Sequence, residues 1–258
     1  MRFETIALTL DDGVATITLN RPDSMNAMNA LMRRELVAAF ADAAQEARAL
    51  ILTANGRGFC AGQDLGDTSN LGALDLEQTL RQEYEPLLTA LWNCPIPTIC
   101  AVNGIAAGAG ANLALTADIV IAARSASFLE AFARIGLLPD AGGTYLLPRL
   151  VGRARALGMS LLAEPLPAAV AADWGLIWEV VEDDALDSRA RELATRLASG
   201  PTKAYALIKE ALKESPSNSY AEQLELEARL QGEAGRTRDF QEGVMAFLQK
   251  RKAGFEGR

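Results

Sequence analysis

The chain contains no histidine. The side chain that most often moves protons near neutral pH is therefore missing, and with it the commonest zinc ligand. Cysteine is scarce as well. Cys60, Cys94 and Cys100 are odd in number and form no CxxC pair, which fits a reduced compartment better than a disulfide framework. Positive charge is in deficit, with 25 Lys and Arg against 33 Asp and Glu and a net charge of −8. That argues against a large nucleic-acid surface, whose affinity rests on phosphate neutralisation. It leaves room for an anionic ligand held by a few local Lys or Arg. Charged or polar residues interrupt every apolar run before membrane-spanning length. Met1-Arg2-Phe3-Glu4 opens no signal-peptide apolar region. The expectation is a cytoplasmic protein that binds neither nucleic acid nor membrane.

What is present suffices for a substantial core. Of 258 residues, 50% are hydrophobic and 22% charged. Residues 3–10 and 14–19 alternate polar and apolar positions around Asp11-Asp12-Gly13, a hairpin pattern. Residues 30–47 carry Leu31, Leu36, Val37 and Phe40 at helical spacing. Ala49–Thr53, Thr98–Val102 and Asp118–Ala122 read as short buried strands, and 75–92 as a helix broken by Pro95 and Pro97. A short helix is expected near Ala111 to Leu115. Strands alternating with helices predict an α/β core with mainly parallel strands. Beyond Gly200-Pro201 the pattern becomes helical, at 201–214, 217–231 and 237–250. The expected organisation is a core over 1–200 and a helical region over 201–258. Residues 64–80 carry the least pattern and suit a lid.

Three features bear on chemistry. Two Gly-rich turns, Gly58-Phe59-Cys60-Ala61-Gly62 and Asn103-Gly104-Ile105-Ala106-Ala107-Gly108-Ala109-Gly110, let a ligand approach the main chain. The second runs into a helix whose first N–H groups lack internal partners, as needed to hold an anion or an oxyanion. It matches neither the dinucleotide fingerprint nor a phosphate loop ending in GK[ST]. Tight packing is the plainer reading of either turn. The third feature is Asp140, set among small and apolar residues from Ile135 to Gly143. A poorly hydrated carboxylate resists ionisation and becomes a proton carrier near neutral pH. A helix N-cap is the other reading of an Asp before Ala141-Gly142-Gly143.

Asn20-Arg21-Pro22 with Asn26-Ala27, Gly58 to Leu65, Val102-Asn103-Gly104 with Gly108-Ala109-Gly110, and Pro139-Asp140-Ala141-Gly142-Gly143-Thr144 occur in one order and spacing. In this the chain resembles the crotonase (enoyl-CoA hydratase/isomerase) superfamily along nearly its whole length. The resemblance implies a ββα spiral core with a C-terminal helical extension. It also implies acyl-CoA thioester substrates, trimers or hexamers, and no cofactor beyond the coenzyme A of the substrate. It assigns an oxyanion hole to the N–H groups of Ala61 and Ala109 and an acyl-CoA site to Ala27, Gln63, Asp64, Leu65, Gly108 and Gly110. Asn112 and Phe132 fall where hydratases carry two glutamates, and neither can take a proton. Asn112 there can orient substrate or be an inert helix residue. Asp140 stands where hydratases usually have glycine, as in the isomerase and dehalogenase branches.

The segments 131–140, 147–155, 173–178 and 242–251 are similar to the isomerase branch of phenylacetate breakdown. By resemblance, then, Asp140 is catalytic and the activity is isomerisation of a CoA thioester. The alternatives are a hydratase or hydrolase, a non-catalytic acyl-CoA binder and, against the net charge, an RNA-binding homologue. Phe128, Phe132, Leu137 and Tyr145 can line an acyl pocket or the core. Lys250, Arg251 and Lys252 can meet CoA phosphates or cap a solvated helix end.

Overall fold

The computed structural model describes residues 3–64, 66 and 75–257. Strands β1 (Ile6–Asp11) and β2 (Val14–Leu19) form the expected hairpin, with Asp12 and Gly13 both at positive φ as a tight two-residue turn requires. Helix α1 (Ala30–Glu46) begins where Asn29 accepts a hydrogen bond from the Met32 N–H, and it buries Met32, Leu36, Ala39 and Phe40 on one face. Strand β3 (Ala49–Ala54) returns parallel to β2.

The chain then repeats a pattern. Three long-sheet strands in succession are each followed by a three-residue strand in a second sheet and then by helix or turn. Thus β3 leads to β4 (Gly58–Cys60), and after α2 (Leu76–Thr79), a π-helical turn (Leu80–Tyr84) and α3 (Glu85–Trp92) comes β5 (Thr98–Val102). β5 leads to β6 (Ile105–Ala107) and α4 (Ala109–Leu115), and β7 (Ile119–Ala123) to β8 (Ser127–Leu129). A 3₁₀ turn (Ala131–Ile135) precedes α5 (Gly143–Leu162), β9 (Leu166–Pro167), α6 (Ala168–Asp173), β10 (Glu179–Val181) and α7 (Leu186–Ala198). The long sheet runs β1-β2-β3-β5-β7-β10 and the short one β4-β6-β8-β9. Only the β1–β2 and β8–β9 pairs are antiparallel. This is the ββα spiral that the sequence led us to expect.

The middle of the long sheet is buried on both faces, so β3, β5 and β7 are nearly continuous apolar runs. Phe40, Phe59, Phe128, Leu50 and Leu52 are fully enclosed between the sheets and helices, each stabilising the fold by about 1.5–3 kcal/mol. The expected C-terminal helices are α8 (Thr202–Glu214), α9 (Tyr220–Ala234) and α10 (Arg238–Leu248). Lys209 on α8 ties this region to the chain entering β5 and β7, donating to the Cys94 and Ile96 carbonyls and pairing with Asp118 at 2.6 Å.

The second sheet, implied by the resemblance, has no signal of its own in the residue pattern. Its strands lie inside segments read as loops, because three residues are too few to show period-two alternation. The helix after Gly108 also starts earlier than expected, at Ala109. No helix among the described residues is long and apolar enough to cross a membrane.

Candidate active site

β4 and β6 are parallel neighbours, so the Gly-rich turns that leave them lie side by side. Gly62 has φ +95°, and a Cβ there would fall 2.9 Å from the Ala107 carbonyl oxygen and 3.6 Å from the Ala109 nitrogen. Gly110 is equally confined, since its Cβ would stand 2.4 Å from the Cys60 carbonyl oxygen. The two turns therefore approach as closely as main chains without side chains permit.

One expected role is corrected by this geometry. The Ala61 N–H donates to the Met25 carbonyl at 3.0 Å and is not free to hold a ligand oxygen. On the same turn the Met28 N–H donates to the Gly62 carbonyl at 2.7 Å and the Asp64 N–H to the Met28 carbonyl at 3.1 Å. The Gln63 N–H lies between these two rungs and has no partner among the described residues. Across the gap, the Gly108 N–H donates to the Leu129 carbonyl at 2.8 Å, leaving the Ala109 N–H without a partner among the described residues. The free donor pair is Gln63 and Ala109.

Asp140 follows the 3₁₀ turn and precedes α5. The N-cap of α5 is Gly142, with no side-chain cap bond, so Asp140 is not the cap. Its main-chain carbonyl accepts from the Gly143 N–H at 2.8 Å and from Asn112 Nδ2 at 2.9 Å. Its side chain is half-buried, and Oδ1 is fully buried with no hydrogen-bond partner. Burial pushes the carboxyl from its ordinary 3.8 up to about 6.

Asn112 is not an inert helix residue. It is completely buried one turn beyond Ala109 on α4, and its amide donates to the Asp140 carbonyl and, at 3.4 Å, to Glu130 Oε2. Glu130 is the residue that sequence reasoning missed. It is 1% exposed, and burial pushes its carboxyl up to about 7, with the charge of Asp140 adding to the effect. A lone charged residue inside the apolar stretch from Phe128 to Phe132 was the available signal. Phe132 itself is buried and its ring would lie 3.6 Å from a Cβ on Gly108, so it closes one wall of the second turn.

Tyr84 and Arg33 were also missed. Tyr84 ends the π-helical turn, a distortion that often marks a functional site. Burial holds its hydroxyl protonated, and the charge of Asp140 acts on it in the same direction. The buried Arg33 lies over the Tyr84 ring at 4.8 Å, pairs with Glu83 at 2.6 Å and donates to the Met28 carbonyl at 2.6 Å. It thereby steadies the backbone that flanks Gln63.

The remaining expected residues divide. Asp64 pairs with Arg21 at 2.8 Å, and this bond holds its carboxyl below the usual range. The same guanidinium donates to the Ala27 carbonyl at 2.5 Å, so Arg21 ties together the two loops that carry Ala27 and Gln63. Leu65 and most of 64–80 lie outside the described residues. Phe128 is core, Leu137 is exposed, and Tyr145 packs edge-on against Trp92 at 6.2 Å. Arg251 is held by both Glu242 oxygens. The three cysteines are free and buried, and burial pushes the Cys60 thiol up to about 12, which removes it as a nucleophile.

The fold and the paired turns define a class, the acyl-thioester enzymes of the crotonase superfamily. The family model described as enoyl-CoA hydratase/isomerase matches residues 9–258. A probable enoyl-CoA hydratase of Rhodobacter capsulatus is 57% identical over 258 residues, covering all of both chains. The 1,2-epoxyphenylacetyl-CoA isomerase of Escherichia coli is 48% identical over 99% of each chain. A crystal structure of an enoyl-CoA hydratase/isomerase from Mycobacterium paratuberculosis superposes with a TM-score of 0.91 at 33% identity, covering 100% of both chains. The chain belongs to the enoyl-CoA hydratase/isomerase family. It is an enzyme of the crotonase superfamily, acting on CoA thioesters.

Proposed function

We propose that the protein is a CoA-thioester isomerase in which Asp140 carries the migrating proton. The observation that carries this reading is a desolvated Asp140 carboxyl, its Oδ1 without a partner, on a segment whose main chain is held by Asn112 of α4, the helix whose first residue offers a free N–H. The thioester oxygen sits between the N–H groups of Gln63 and Ala109. Each such donor stabilises an enolate-like transition state by about 2.7–4 kcal/mol. With the α-carbon so acidified, ionised Asp140 removes a proton from C2 of a 3-enoyl-CoA. It returns that proton to C4, which yields the conjugated 2-enoyl thioester and regenerates the carboxylate. No redox partner or cofactor enters beyond the coenzyme A of the substrate.

The finer reading is 1,2-epoxyphenylacetyl-CoA isomerase, forming the oxepin-CoA in phenylacetate catabolism. It is supported by the identity to the E. coli enzyme and by Asn112 and Phe132 at positions where glutamates would activate water. A trimer or hexamer fits the apolar residues left exposed on α8 to α10, among them Leu212, Phe240 and Phe247. One observation favours hydration instead. Glu130 gives the site a second buried carboxyl, and the Rhodobacter relative is called a hydratase. Purified protein given a 3-enoyl-CoA, a 2-enoyl-CoA and ring-1,2-epoxyphenylacetyl-CoA in parallel decides between them. Conjugation of the first and ring expansion of the third are expected. Hydration of the second with the first and third unchanged overturns the isomerase reading.

A further inference from the structure

We propose that Glu130 is a positioning residue for Asp140, acting through the Asn112 amide, and that it carries a proton in the resting enzyme. This rests on the isomerase reading above for its catalytic consequence. Glu130 directly follows β8, and the preceding carbonyl, of Leu129, receives the Gly108 N–H. One strand end thus pins the turn that presents Ala109 and, a residue later, places a carboxyl against Asn112. The Asn112 amide has two hydrogens. One goes to the Asp140 carbonyl and the other to Glu130 Oε2, so Glu130 fixes the orientation in which Asn112 grips the Asp140 segment. Gly143 lies against the same amide, and any side chain there would collide with it.

The polar inventory requires a proton. Asn112 Oδ1, Glu130 Oε1 and Asp140 Oδ1 are all buried acceptors without a donor. A buried ionised carboxylate with one long hydrogen bond is costly, whereas a protonated one turns an acceptor into a donor. Among the described residues no cation is placed to neutralise Glu130. β6, β9 and α4 carry no ionisable side chain, and α6 carries only Asp173 at its last residue. Arg134, in the following turn, is committed to the Ala163 carbonyl. On the Asp140 side the titratable neighbours are Tyr84, which burial keeps neutral, and Glu130 itself. Two carboxyls so placed share one proton before both ionise. The more deeply buried Glu130 keeps it, and Asp140 carries the charge and serves as base.

The test uses Glu130→Ala, Glu130→Gln and Asp140→Asn in the full chain. Glu130→Ala is expected to lower kcat by about tenfold to a hundredfold, with KM little changed, because the base is misplaced while binding is intact. Glu130→Gln keeps an acceptor for Asn112 and is expected to recover most of that loss. Its kcat/KM profile should keep the wild-type acid limb, since a protonated Glu130 has no charge for the substitution to remove. An acid limb displaced in Glu130→Gln, or equal losses of kcat and binding in both Glu130 variants, overturns the proposal. Infrared titration of the resting protein gives a readout that needs no turnover. A protonated-carboxyl band persisting to near neutral pH is expected in wild type and Asp140→Asn and not in Glu130→Gln. The same band in all three proteins overturns the proposal. A wild type that shows the band yet fails to isomerise overturns only the isomerase reading.

Discussion

Replacing Asp140 by Asn should stabilise the protein while inactivating it, with a gain that depends on pH in one direction. In the unfolded chain the carboxyl ionises near its ordinary 3.8, and in the fold near about 6. The fold therefore favours the protonated form. Below 3.8 the group is neutral in both states and stability is at its fullest. Between 3.8 and about 6 the folded side chain must ionise where water reaches it poorly, and stability is lost; above about 6 the loss is complete. The separation corresponds to about 3 kcal/mol, which solvent on the half-buried side chain reduces to about 1–2 kcal/mol. Asn has nearly the same shape and no charge to desolvate.

Urea unfolding of wild type and Asp140→Asn should accordingly coincide near about pH 4 and diverge by about 1–2 kcal/mol in favour of the variant near about pH 8. Conjugation of a 3-enoyl-CoA, followed by the absorbance of the product, should fall by about 10²–10⁴-fold in the variant. In wild type, kcat/KM should drop with an acid limb near about pH 6, where the base becomes protonated. A variant equally stable with wild type at both pH values would refute the claim that Asp140 is held in a poorly hydrated place. Turnover by the variant at the wild-type rate would remove Asp140 from the chemistry.

Gly62→Ala should lower kcat by about 10²-fold and cost about 1–3 kcal/mol in thermal or urea unfolding, since it forces a Cβ at positive φ against the Ala107 carbonyl between the two donors. Arg33→Met should cost about 3 kcal/mol by urea unfolding, because the Met28 carbonyl and Glu83 lose their cation, and kcat should fall with it as the Gln63 N–H loses its support. Cys60, Cys94 and Cys100 should resist a thiol reagent at mildly alkaline pH until the chain is unfolded, as burial raises all three thiols; rapid labelling of the native protein would contradict the packing around Cys60.

The parts of the fold with strong local signals were legible. The Asp12-Gly13 hairpin, the α1 face built from Leu36 and Phe40 and the Pro-bounded start of β5 depend on neighbours in sequence. The short sheet was not legible, because Gly58–Cys60 and Ile105–Ala107 become strands only by pairing with each other across some 45 residues. The site shows the same division. Asp140 and Ala109 stood out by composition and motif. Ala61 was misassigned because a sequence does not reveal which amide a distant carbonyl, here that of Met25, will claim. Glu130, two residues before Phe132, was not legible because its burial and its contact with Asn112 arise only from packing.

The sequence alone determined that histidine cannot carry a proton here, which makes a carboxylate the first candidate, and that two glycine-rich turns present bare main chain. Residue type limits which acids and which backbone angles are available. Only tertiary structure decided which amides remain unclaimed, that Asn112 joins Asp140 to Glu130, and that one oxygen of each carboxyl lies away from water. Hydrogen-bond partners and hydration depend on segments far apart in the chain, and packing alone brings them within reach.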